Sequence, residues 1–361
     1  MTDSSLASTI HWRSSSSDDA PLFVLVHASG EGTLAARGLV ERLPAGLEYA
    51  VLPAPGSVDE LARWLDEAAP QGRPVFCAAH GHAAELFGAL LVAEPARFVG
   101  AALLNGAFSA DTELLPAALT GLPVFHAQGE RDLEVAIPMQ NRTWDYLVSE
   151  SGAPVTAHLD SGGHDITSAT SAELEKWLEH RLEHVASHGV APVGPLDGGG
   201  QAQWPVIGEL PTRRGGRPRV TWSIPQQQIS DQSIIEFQDE LFERVSGLEG
   251  VKVNGSAFSV PGTRGLALAG PAGRSGALLD EESGEFAHFH PWYDGSLHLA
   301  LPPDLAADAI AKGWAQPHMW AGSRFADGFV LVYGPRDSAE VDLVAAIVEA
   351  SHAYASGAES A

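Results

Sequence analysis

The chain has 361 residues and a formal net charge of −25, from 46 Asp or Glu against 21 Lys or Arg. Such an acidic balance argues against nucleic-acid or anionic-membrane binding by bulk electrostatics, because a phosphate surface would be repelled. Hydrophobic residues make up 45% of the chain, enough for ordinary globular cores, while no apolar run is long enough to span a bilayer.

The length implies two domains. The polar, Ser-rich start lacks the basic segment and apolar core of a secretory signal. A single cysteine, Cys77, precludes an internal disulfide and fits a reducing cytosol. The expectation is therefore a cytoplasmic protein; the pattern does not set an oligomeric state.

In chain order, Phe23–Val26 reads as a strand ending in His27-Ala28-Ser29-Gly30-Glu31-Gly32, a turn suited to aiming backbone N–H groups at a ligand. Ser29 lies in that loop and is expected to face a pocket. Val75–Ala78 is a second strand, followed by Ala79-His80-Gly81-His82-Ala83 and a helix over Ala83–Val92. This is the strand–turn–helix layout in which a nucleophile sits between small residues. Gly81 occupies the central position, flanked by His80 and His82. Val99–Leu104 and Pro123–Ala127 are further strands, the latter leading to Gly129-Glu130-Arg131-Asp132. A helix at Met139–Ser151, a weak strand at Thr156–Leu159, the segment Gly162-Gly163-His164 and a helix at Ala172–Val185 complete the unit. Strands alternating with helices imply a parallel sheet covered on both faces.

Residues 20–186 resemble the α/β-hydrolase superfamily, closest to its small phospholipase/carboxylesterase group. The resemblance implies an α/β parallel-sheet sandwich with nucleophile, acid and His in that order, each after a strand. It places Gly81 at the nucleophile position, Asp132 as the acid and His164 as the base. Glycine supplies no oxygen or sulfur for covalent acyl transfer, and Cys77 falls four residues early, inside the apolar strand. A conventional serine esterase is disfavoured. A His–Asp pair still performs general acid–base work, with His80 and His82 adding donors nearby; lyase, isomerase or cyclase chemistry on a small acyl or carbonyl compound fits such a set. The other reading is a non-catalytic scaffold.

Residues 187–219 are rich in Gly, Pro and small polar residues and read as a flexible linker. The linker carries the basic patch Arg213, Arg214, Arg217 and Arg219. Beyond it, Ser230 or Asp231 caps a helix running to Gly247. Strands are expected at Val251–Asn254, Ala257–Val260, Gly265–Ala269, Glu285–His290, Ser296–Leu301 and Gly328–Tyr333, with helices at Pro303–Lys312 and Ser338–Ala355. That order predicts an α+β domain with an antiparallel sheet.

Its distinctive piece is Glu285-Phe-Ala-His288-Phe-His290-Pro-Trp-Tyr-Asp294-Gly-Ser-Leu-His298, followed by Gly313-Trp-Ala-Gln-Pro-His318. Residues 220–358 resemble the luciferase-like domain family through these segments. His288 and His290, two apart on a strand, share a face, and His298 joins them if the next strand pairs in register. Glu285 falls on the opposite face of a regular strand, because its offset from His288 is odd. Imidazoles on adjacent strands suit Zn, Fe, Cu or Ni, so His288, His290 and His298 are candidate metal ligands. Two alternatives stay open. One is a metal-free ligand pocket of His288, His290, His298 and His318 with Trp292, Trp314 and Trp320; the other is structural packing. Asp294-Gly295 reads as turn chemistry. A small-molecule ligand is the expected partner, and no cofactor is specified.

Overall fold

The structure, a computed structural model, describes residues 11–13, 20–28, 38–69, 72–190, 193, 202–221, 224–256, 258–270, 274 and 276–358. The chain divides into two compact units, Met1–Leu196 and Asp197–Ala361.

The first unit contains β1 (His11–Arg13), β2 (Leu22–His27), β3 (Glu48–Pro53), α1 (Val58–Ala68), β4 (Val75–His80), α2 (Ala83–Ala93), β5 (Gly100–Leu104), β6 (Val124–Gly129), α3 (Ile137–Ser149), β7 (Val155–Asp160) and α4 (Ser168–His188). Its sheet runs β1-β3-β2-β4-β5-β6-β7. Six strands are parallel, and β1 pairs antiparallel with β3 at the edge. This is the parallel architecture the alternation predicts. Strands β2, β4, β5 and β6 are buried along their whole length, which is why they read as unbroken apolar runs. Cys77 is one such buried residue, and burial pushes its thiol pKa far above the ordinary range. It is inert filling rather than a nucleophile. Three elements, β1, β3 and α1, go beyond the predicted set. The short β3 starts on Glu48 and stops at Pro53, and α1 buries only Leu61 and Leu65.

The second unit contains α5 (Ile235–Ser246), β8 (Val251–Gly255), β9 (Arg264–Leu268), β10 (Glu285–Phe289), β11 (Leu297–Ala300), α6 (Pro303–Ala311), β12 (Ala315–Pro317), β13 (Phe329–Val332) and α7 (Ser338–Ser356). All pairings in its sheet, β12-β13-β11-β10-β9-β8, are antiparallel. Side chains alternate across the pleat. Ala287, Phe289, Leu297, Leu299, Val330 and Val332 join Val341, Val344, Ile347 and Val348 of α7 in one core. Fully burying each such Val, Leu or Ile stabilises by about 1.5–3 kcal/mol. Ala300 and Phe329 lie in a separate small cluster with Leu279 and Ala321. His298, between Leu297 and Leu299, is thereby turned away from α7. The side chain of Asp337 caps α7, accepting the Glu340 N–H at 2.8 Å.

Three expectations need correction. Residues 202–219 do not behave as a free linker: Trp204, Leu210 and Arg213 are buried in the second unit, and Trp204 Nε1 donates to Asp308 at 2.8 Å. Composition missed this because a few anchoring side chains outweigh a Gly- and Pro-rich backbone. The helix expected to be capped at Ser230 or Asp231 starts later, with Ile234 at its N-cap; Asp231 instead has φ +50° in a turn. No strand forms over residues 258–260, where the chain bends.

Candidate functional site

In the first unit, β4 delivers His80 and α2 begins at Ala83, leaving Gly81 and His82 in the turn. Gly81 has φ +58°, a left-handed conformation that glycine adopts without steric cost. Asp132 follows β6 and His164 follows β7. His164 Nδ1 lies 3.1 Å from each carboxylate oxygen of Asp132. A carboxylate only accepts, so the imidazole proton sits on Nδ1 and the lone pair on Nε2. Asp132 is held by the Gln128 amide at 3.0 Å and by the Glu134 N–H at 2.9 Å.

His80 reaches the same loop: its Nε2 donates to the His164 carbonyl at 2.8 Å. The ring of His82 lies 6.2 Å from that of His164, and the exposed Glu134 carboxylate is 3.8 Å from His164 Nε2. The structure therefore brings Asp132, His164, His80 and His82 together around the Gly81 turn. Ser29 lies outside the described residues. Sequence reasoning missed Asn105, which ties the loops together: its amide donates to the carbonyls of His164 and Asp165 at 2.9 and 3.0 Å, and its Oδ1 accepts the Gly129 N–H at 2.9 Å. Its φ of +47° is uncommon for a non-glycine residue.

The same loop depends on a close backbone approach. A Cβ at Gly129 would sit 2.2 Å from the Gly163 carbonyl oxygen. Gly129→Ala is expected to displace the 162–164 loop and cost about 1–3 kcal/mol. Chemical denaturation gives the cost, and the His164 imidazole NMR signal reports the displacement; an unmoved signal at wild-type stability contradicts the contact.

In the second unit, the in-register pairing holds: His288 lies directly opposite His298. His290 stands one residue beyond β10, its N–H bonded to the Ser296 carbonyl at 2.9 Å. All four histidines, including His318 after β12, are buried. With Gln226, Val260, Leu279, Trp320, Phe325 and Phe329 among the other walls, they line a cavity of about 200 Å³. Burial, followed by charge repulsion from His288 and His290, brings His318 down to about 3. Burial likewise lowers His288 and His298. These imidazoles are neutral at ordinary pH.

The expected placement of Glu285 is overturned. Its Oε1 lies 2.7 Å from His288 Nδ1. Between Glu285 and Ala287 the register slips: two steps along β10 match one along β9. That β-bulge inserts Phe286 and moves Glu285 onto the histidine face. Asp294 goes beyond turn chemistry. It accepts the Ser296 N–H at 3.0 Å and hydroxyl at 2.5 Å, and its Oδ2 lies 2.8 Å from His290 Nδ1. The spacing His290…Asp294…Ser296 was the available signal. Of the three tryptophans expected at the pocket, only Trp320 lines it. Trp292 is 71% exposed, and Trp314 donates to Pro211 O at 2.6 Å, away from the cavity walls. The donor set His288, His290 and His298 presents one ligand atom each within 4.8 Å of one another, a spacing compatible with holding a metal ion after small side-chain shifts.

Comparison with known proteins agrees with the second resemblance. The luciferase domain family matches residues 283–351. The luciferase of Neonothopanus nambi is 30% identical over 164 residues, 41% of this chain and 61% of that protein. The luciferase of Armillaria ostoyae is 38% identical over 73 residues, 19% of this chain and 27% of that protein. The chain thus spans less than two thirds of these curated relatives. Among solved structures, a Bacillus cereus carboxylesterase matches with 17% identity and a TM-score of 0.40, covering 48% of this chain and 93% of that one. Acyl-protein thioesterase 2 of Zea mays matches with 15% identity and a TM-score of 0.39, covering 48% and 98%. The second unit carries a luciferase-like domain over residues 283–351, and the first has a parallel sheet with helices like that of α/β hydrolases.

Proposed function

We propose that the histidine-lined cavity of the second unit binds and transforms a compact, largely apolar organic molecule. The first unit, on this reading, is a hydrolase-fold partner that does not act as a serine hydrolase. The observation that carries the reading is the cavity itself: four buried histidines, two of them backed by buried carboxylates, facing aromatic and aliphatic walls. Apolar walls with a few convergent polar groups are the usual build of a small-molecule site. At about 200 Å³ it lies below the ~300–1,000 Å³ of drug-sized pockets, so the molecule is small. A neutral imidazole in such a site accepts a proton from a phenol or enol. The relatives named luciferases make oxidation the first reaction class to assay.

The second reading keeps acid–base chemistry at His164, supported by its 3.1 Å contacts to Asp132. One comparison separates the two. Oxygen uptake and product formation are measured with a panel of phenols and enols. His290→Ala is expected to lower turnover by ~10²-fold or more, with His164→Ala near wild type. The reverse pattern moves the function to the first unit.

A further inference from the structure

The hydrogen bonds around the cavity fix the tautomers of two imidazoles and leave a third able to turn a lone pair toward them. Glu285 Oε1 accepts from His288 Nδ1 at 2.7 Å, so His288 Nε2 carries a lone pair. The Ser296 hydroxyl proton is committed to Asp294 Oδ1. Toward His290 Nδ1, Ser296 Oγ at 2.9 Å is therefore an acceptor, with the Asp294 carboxyl oxygen Oδ2 2.8 Å away. His290 Nδ1 must donate, and its Nε2 is a second lone pair. His298 Nδ1 lies 3.2 Å from that His288 lone pair: with no ion one nitrogen donates to the other, and with an ion between them both present lone pairs to it. His298 Nε2 is buried with no hydrogen-bond partner among the described residues, so nothing fixes the His298 proton on Nδ1.

Charge points the same way. Glu285 is 2% exposed and Asp294 fully buried. Among the described residues, their ion-pair partners are these imidazoles. Two buried acidic side chains against the far nitrogens of imidazole donors are a setting that a divalent cation suits.

We propose that His288, His290 and His298 hold a divalent first-row transition-metal ion, with Glu285 and Asp294 orienting two of the ligands and a coordination position open to the cavity. Imidazole donors favour zinc, iron, nickel or copper over magnesium or calcium, and a carboxylate on the far nitrogen is the common support of a metal-bound histidine. Three protein ligands leave room for a water or substrate atom. His318 is assigned a different part. Its Nδ1 accepts the Trp320 N–H at 3.1 Å, which leaves the proton on Nε2 as a donor toward a bound molecule. The inference rests on the cavity being the working site and names the cofactor class it takes.

The test uses the full, untagged chain purified without chelator. Metal content is measured by mass spectrometry; protein stripped with chelator is then titrated with Co²⁺, read by its visible absorption, and with Zn²⁺ in competition. The expected result is one metal per chain, lost in His290→Ala and retained in His318→Ala. Glu285→Gln, which keeps the shape of the site, is expected to weaken Zn²⁺ binding by about 10–100-fold and serves if His290→Ala does not fold. Wild type that neither retains metal nor binds Co²⁺ or Zn²⁺ overturns the inference, as does binding that Glu285→Gln and His290→Ala leave unchanged. Metal-free wild type that still converts a small molecule sinks the metal alone. Metal at the histidines without any small-molecule binding leaves it standing and removes the functional reading.

Discussion

Gly81→Ser is expected to give the first unit an esterase activity, measured as p-nitrophenyl acetate hydrolysis, and a second substitution His164→Ala is expected to remove it. The turn after β4 has the required backbone: Gly81 sits at φ +58° between strand and helix. The His164–Asp132 pair is formed, with the lone pair on His164 Nε2. A side chain at this φ costs about 1–2 kcal/mol, which a well-packed unit absorbs. A positioned general base contributes about 10²–10⁴-fold, so the double variant should fall below the single one by that factor. The N–H of His82, the residue after Gly81, is the natural donor to the developing oxyanion. A folded Gly81→Ser variant with no activity above wild type would mean that the dyad is not aligned with the turn, and would remove the hydrolase reading of Asp132 and His164 together.

Arg213→Ala is expected to destabilise the second unit by about 3 kcal/mol, the lower end of the cost of breaking a buried pair. The Arg213 guanidinium donates to Glu340 Oε2 at 2.9 Å and to Gly334 O at 2.7 Å. It lies 5.4 and 5.5 Å from the Trp314 and Tyr333 rings. Its removal leaves a buried carbonyl unpaired and Glu340 with Arg336 as its remaining guanidinium partner. Burial alone would raise the Glu340 carboxyl. Hydrogen bonds from Arg336 and Arg213, with the Arg213 charge, outweigh it and bring the pKa from 4.5 to about 2. The sign follows: a depressed acid contributes stability above its unfolded value and loses it as pH falls through its folded one. The Arg213 contribution should therefore be complete above pH 4.5 and fade toward pH 2. Urea denaturation of wild type and variant at pH 7 and pH 3 reads both effects, with the exposed Arg214→Ala as a control expected within about 0.5 kcal/mol. Equal stability of Arg213→Ala and wild type at pH 7 would show that the pair only substitutes for hydration.

Both folds were legible in the sequence wherever burial imposes a period. Buried parallel strands such as Leu22–His27 and Val75–His80 read as apolar runs, and the expectation that His298 joins His288 if the strands pair in register is met. Short elements with mixed faces, such as β3 and α1, did not stand out, because few of their residues are obliged to be apolar.

Sequence by itself determined the chemistry available: a glycine between two histidines after an apolar strand, an acid and a histidine after later strands, and four histidines within residues 288–318. Tertiary structure decided how those groups pair. A one-residue bulge carried Glu285 to His288 against strict alternation. A turn folded Asp294 back onto His290, and Asn105 fastened the loop that carries His164. Arg213, part of the basic patch in the expected linker, was drawn into a core by Glu340. Periodicity records which face of a regular element meets the core. Bulges, turns and buried charge pairs depend on contacts between residues distant in the chain, so they follow from packing.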